Sequence, residues 1–89
     1  MMIKKFEGHE NAQTYMITDG ENFILVSYTT PVITVSDGWL HVNGLYSATT
    51  RKHIGWFMRE FGFTYQLAKQ LFEDNMNFNI YTGEVITNV

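Results

Sequence analysis

The residues of this chain best suited to recognition chemistry fall in one run, Tyr46-Ser47-Ala48-Thr49-Thr50-Arg51-Lys52-His53, where hydroxyls give way to two cations and an imidazole. The run leads into a stretch of helical periodicity, so its cations sit at a helix N-terminus. Peptide dipoles already gather positive charge there, and the first backbone N–H groups have no partner within the helix. Arg51 and Lys52 oppose that field unless a phosphate, a carboxylate or an acidic surface answers them. Thr49, Thr50, Arg51, Lys52 and His53, with Trp56 and Arg59 a turn or two further on, are therefore the candidate partner- or anion-binding residues. The competing interpretation is a solvated basic face that serves solubility. His53 stands one position before the apolar Ile54 and is placed to orient a neighbour rather than to act as a base. Trp56 beside Arg59 on the helical wheel has the composition of an interface hot spot, and it equally suits packing over the core.

Catalytic constellations are thin. His9, His41 and His53 have no metal-ligand spacing, and no nucleophile elbow, phosphate loop or dinucleotide-binding glycine motif occurs. Ser27 or Thr30 paired with His41 across a sheet is a conceivable nucleophile and base, but their spacing does not single them out. There is no cysteine, which removes disulfides, a thiol nucleophile and thiolate metal sites. The expectation is a protein that is not an enzyme and uses no cofactor or metal.

These candidates need a scaffold, and 89 residues supply one domain, residues 1–89. A hydrophobic fraction of 45% with 16% aromatic residues is that of a packed globule and not of a disordered chain. No stretch approaches the roughly 20 apolar residues of a membrane span, and the N-terminus lacks a signal-peptide core, so no membrane association and a cytoplasmic location are expected. The net charge of −3 argues against generic DNA binding. Arg51, Lys52 and Arg59 are half of the six cations and lie in one segment, which predicts a basic patch on an acidic body.

The pattern predicts an α+β fold: an antiparallel β-meander of about four strands, then two helices and a C-terminal strand. Residues 13–18 and 23–28 are β-prone around Asp19-Gly20, and 32–35 and 39–42 around Ser36-Asp37-Gly38. Pro31 marks a bulge, an edge or a change of direction. From Thr50 the period lengthens, with Ile54, Phe57, Met58 and Phe61 on one helical stripe, Ser47, Thr49 or Thr50 as its cap and Gly62 at its end. Thr64 caps a second helix over 65–74, buried through Leu67, Ala68, Leu71 and Phe72. Residues 78–87 read as the last strand, with a break at Thr82-Gly83. The two helices form a weak helix-turn-helix, because the exposed residues of the second include Glu73 and Asp74 and one cation, Lys69. Four tyrosines, at 15, 28, 46 and 65, are candidates for stacking single-stranded bases if the fold gathers them.

Ser27-Tyr28-Thr29-Thr30-Pro31-Val32 followed by Tyr46-Ser47-Ala48-Thr49-Thr50-Arg51-Lys52-His53-Ile54 resembles a pattern of small uncharacterised proteins encoded by bacteriophages and prophages, Ser-Tyr-x-Thr-x-Val and then Tyr-Ser-x-Thr-Thr-x-x-His-Ile. The resemblance covers the middle third of the chain and carries over no catalytic residue. It implies a short phage-type protein that binds a host protein or a protein–nucleic acid complex and blocks or redirects it, host defence systems included. Two other functions fit the same residues: a nucleic-acid-binding regulator using the basic helix start, and a domain that sequesters nucleotides or small anions. Strand edges and many aromatics also leave room for a homodimer.

Overall fold

The computed structural model describes residues 1–88. Its order is β1 (Met2–Lys4), β2 (Thr14–Thr18), β3 (Phe23–Ser27), β4 (Thr30–Ser36), β5 (Trp39–Val42), α1 (Ala48–Glu60), α2 (Tyr65–Glu73), β6 (Met76–Asn79) and β7 (Val85–Thr87). The strands form one antiparallel sheet in sequence order, β1 to β7. The architecture is α+β with a meander longer than four strands. Met2–Lys4 adds an edge strand, and the segment read as one last strand folds back at residues 80–84 into the β6–β7 hairpin.

Local chemistry accounts for most of the elements. The turn between β4 and β5 has Asp37 and Gly38 both at positive φ, 53° and 85°, the two-residue geometry whose twist matches a right-handed β-hairpin. Asp19 holds the β2–β3 turn by accepting backbone N–H bonds from Glu21 and Asn22 at 2.9 and 2.8 Å. Pro31 lies in β4 opposite Val26, where the register shifts between Leu25 and Val26, so the proline sits at a bulge. Of the three candidate caps, Ser47 caps α1 by accepting from the N–H of Thr50, and Gly62 ends that segment at φ 82°. Thr64 caps α2 in the same way through the N–H of Leu67.

The helices follow β5, pack against each other and bring the chain back beside that strand. β6 therefore pairs antiparallel with β5 despite the long excursion. One side of the sheet supplies Met16, Leu25, Ile33, Val35, Leu40 and Val42 to the core, and the helices cover it with Ile54, Phe57, Met58, Ala68 and Leu71. Phe57 has no exposed surface, and truncating such a residue to Ala costs about 3–5 kcal/mol. Phe72 departs from the expected buried stripe and is 42% exposed. It follows Leu71 by about 100° around the helix, past the margin of a face that Ala68 and Leu71 suffice to seat.

Candidate functional site

The sequence-level candidates divide by helical phase. Thr49, Arg51, Lys52 and Arg59 are exposed and Trp56 is half-buried, whereas Thr50 and His53 are buried, at 5% and 2% exposure. Thr50, His53 and Phe57 are spaced i, i+3 and i+7, which puts the first two on the side of α1 that faces the sheet. Arg51, Lys52 and Arg59 point the other way. The structure thus divides the seven candidates into a buried pair, Thr50 and His53, and five that reach the outer surface.

Inside, four side chains join β3 to the start of α1. The Ser27 hydroxyl lies 2.7 Å from His53 Nδ1 and 3.1 Å from Thr50 Oγ1, and the Ser47 hydroxyl donates to Thr50 Oγ1 at 3.2 Å. Every hydroxyl is satisfied if protons run from Ser47 to Thr50, from Thr50 to Ser27 and from Ser27 to His53 Nδ1, with the imidazole neutral. Burial first, and the neighbouring Lys52 ammonium second, push the His53 pKa below its usual 6.5, which favours that neutral form. Tyr28 beside Ser27 takes φ 58° and packs its ring 5.9 Å from the imidazole. Ser27 is 1% exposed, so its short contact with a histidine is closed to solvent.

That contact replaces the Ser27–His41 pairing weighed from the sequence. Ser27 faces the helices, while His41, between the inward Leu40 and Val42 of β5, faces the opposite side of the sheet. There His41 Nδ1 pairs with Asn77 Oδ1 at 2.8 Å. Thr30, beside Ser27 at the β3–β4 turn, is exposed and does not meet His41.

Outside, Arg51, Lys52, Trp56, Arg59, Tyr65 and Lys69 line a shallow groove of about 550 Å³ between α1 and α2. Four of the six cations in the chain meet there. Among the described residues none of the four forms an ion pair with a carboxylate. Trp56 is the fixed point of the groove. Lys52 Nζ stands 6.0 Å from its ring, and His9 from the β1–β2 loop stacks on it at 3.7 Å and 11°. A second hollow of about 210 Å³, walled by Glu7, His9 and Glu60, shares Trp56 and Arg59 with the first. Thr49 is exposed at the helix start and outside the groove wall.

Lys69, Tyr65, Ser27 and His9 are absent from the candidates read off the run at 46–59. Lys69 and Tyr65 sit one α2 turn apart, a spacing that marks one helix face. No local signal marks His9. Among the described residues no cluster of three or more His, Asp or Glu side chains has metal-binding geometry, and no helix is long and apolar enough to cross a membrane.

These features define a small α+β domain: a meander sheet backed on one face by a helical hairpin, with a Ser–His contact sealed inside and a cationic groove outside. The chain belongs to a family of unknown function (DUF8033), whose model matches residues 2–74. The match takes in β1 to β5 and both helices, well beyond the middle third that carries the sequence pattern, and leaves out the β6–β7 hairpin. No curated protein and no solved structure matches it.

Proposed function

We propose that this chain is a phage-type binding protein, not an enzyme, that docks on a host protein or protein–nucleic acid complex through the cationic groove of α1 and α2, inhibition of a host defence system being one outcome. The observation that carries the reading is the gathering of Arg51, Lys52, Arg59 and Lys69 around Trp56 on a chain of net charge −3. Four like charges held together with no ion pair to a carboxylate among the described residues, Glu7 and Glu60 bordering only the Arg59 side, leave a field that an acidic partner relieves, and the Trp supplies the apolar anchor. The sealed Ser27–His53 contact fits a structural part rather than a nucleophile.

The test is capture from bacterial host lysate with the wild-type chain and Arg51→Ala/Lys52→Ala. A partner retained by the first and lost by the second supports the groove; identical partner profiles remove it. A second reading, direct binding of single-stranded nucleic acid, draws on Tyr65 and Trp56 standing among the cations, where bases would stack. Fluorescence anisotropy against salt separates the two, because phosphate contacts give affinity that falls steeply with ionic strength.

A further inference from the structure

Trp56 and Arg59 form a ridge between two hollows of unlike charge. The groove on the α2 side carries Arg51, Lys52 and Lys69, whereas the hollow on the other side, against the β1–β2 loop, carries Glu7 and Glu60. Both carboxylates are exposed, and among the described residues neither forms an ion pair. Helical phase explains the division. Glu60 follows Arg59 by one residue and so turns about 100° around α1, away from the groove and toward the side on which His9 stacks on Trp56. The two poles do not cancel. Glu60 stands eight residues beyond Lys52 on the same helix, about 12 Å along its axis, which exceeds the ~8 Å over which exposed charges act on one another at physiological salt. Only Arg59 stands beside the carboxylates, so the positive pole of Arg51, Lys52 and Lys69 and the negative pole of Glu7 and Glu60 are felt separately by whatever lies across the ridge.

We infer that the groove's occupant is a protein segment whose charge changes sign along its length, with acidic side chains over Arg51, Lys52 and Lys69 and one basic side chain in the hollow of Glu7 and Glu60. The inference rests on the docking function proposed above and names the chemistry of the segment that docks. Three observations favour it over a continuous polyanion such as single-stranded nucleic acid. Phosphates that follow the groove past Trp56 meet two carboxylates of their own sign, and charges at the rim of a contact act chiefly to reject partners of the wrong pattern. The Trp56 ring has one face already covered by His9 at 3.7 Å and 11°, so a base that stacks there must first displace the imidazole. The hollow itself, about 210 Å³, is smaller than the roughly 300–1,000 Å³ of small-molecule sites and suits a single side chain. Phe6 and Trp56 wall it together with the carboxylates, and a lysine or arginine lays its stem on such rings while its charged head reaches the acids.

Titration of the full chain, followed by amide NMR shifts so that weak binding is read, tests it with three probes. The first is a peptide of three glutamates, a spacer of glycine and leucine long enough to cross the ~12 Å between the poles, about four extended residues, and two lysines. The second has glutamates in place of the lysines, and the third is a short oligothymidine. Wild type is expected to bind the two-sign peptide at least several-fold more tightly than either other probe, with shifts at both Glu7 and Lys52. Glu7→Gln/Glu60→Gln, which changes only exposed side chains, is expected to bind the two peptides equally. The inference is overturned if the all-acidic peptide or the oligothymidine binds wild type as tightly, if the preference survives the glutamine variant, or if neither peptide binds. Arg51→Ala/Lys52→Ala separates this from the docking function: if that variant keeps the two-sign peptide, the groove itself is not the site, and if it loses both peptides where wild type shows no preference between them, the groove stands and only the two-sign occupant falls.

Discussion

Ser27 on β3 and His53 on α1 are 26 residues apart in sequence, and their side chains meet at 2.7 Å in the interior. The contact continues through Thr50 to the Ser47 cap, so the bond that starts the helix and the bonds that seat it on the sheet form one chain. Positioning of Arg51 and Lys52, on the opposite side of the same turn, depends on it. A buried network thereby lies beneath the turn that carries the exposed Arg51 and Lys52.

Removing Ser27 leaves His53 Nδ1 and the Thr50 hydroxyl proton without their partner in the interior, while the Ser47–Thr50 bonds remain. Ser27→Ala is expected to destabilise the fold by about 1–3 kcal/mol, read by urea denaturation. A double-mutant cycle of Ser27→Ala with His53→Phe should show coupling of at least about 0.5 kcal/mol, because the second substitution removes the acceptor that the first orphans. Additive effects would show that the two side chains contribute independently.

Stability should follow pH with a defined sign. The folded state holds the His53 pKa below 6.5, so the unfolded chain binds the extra proton more readily. The contribution of a neutral His53 is fully present above pH 6.5 and declines as pH falls below it. Asp19 acts in a separate window. Its pKa is lowered from 3.8 to about 2, chiefly by the backbone N–H bonds of Asn22 and Glu21, so what it contributes is present above pH 3.8 and is lost as pH falls through about 2. Denaturation midpoints measured at pH 7.5, 6 and 5 should fall in that order, and His53→Phe should flatten the series.

The exposed cations should be nearly neutral for folding. Arg51→Ala and Lys52→Ala are expected to change stability by no more than about 0.5 kcal/mol, as is usual for surface sites, the Lys52 contact with the Trp56 ring being long and exposed. Thermal melts check this and separate a loss of partner binding from a loss of fold. A large fall in melting temperature would give these side chains a structural role.

The stack of His9 on Trp56 ties the β1–β2 loop to α1. His9→Ala should cost about 0.5–1.5 kcal/mol and expose the indole. A Trp39→Phe background leaves Trp56 as the sole indole in the chain, and its emission should shift to longer wavelength in His9→Ala. An unchanged spectrum would show that the loop does not shield the ring.

Features governed by neighbours in sequence were legible without coordinates. The turns at Asp19-Gly20 and Asp37-Gly38 depend on residues that accept unusual φ or close hydrogen bonds over two or three positions. The Ser47 and Thr64 caps and the Ile54, Phe57, Met58 stripe depend on one helical period. The same period already placed Thr50 and His53 with Phe57 on the buried side, although their chemistry had grouped them with the cations. By contrast, β1 and the β6–β7 hairpin are short, with 3 residues in β1 and 3 in β7, and the pairing that stabilises such strands comes from partners across the sheet.

By itself the sequence determined the α+β class, the two helices, the Thr64 cap, a first cap narrowed to Ser47, Thr49 or Thr50, and the concentration of positive charge around residues 51–59, because each follows from contacts within a few residues. Only the tertiary structure decided that Ser27 meets His53 and not His41, that Lys69 and Tyr65 complete the groove of Arg51, Lys52 and Arg59, and that both helices cover the same face of the sheet. These outcomes turn on which side of a strand or helix a residue occupies once distant segments are in register. A shift of one position along a strand reverses that side, and long-range packing sets the register.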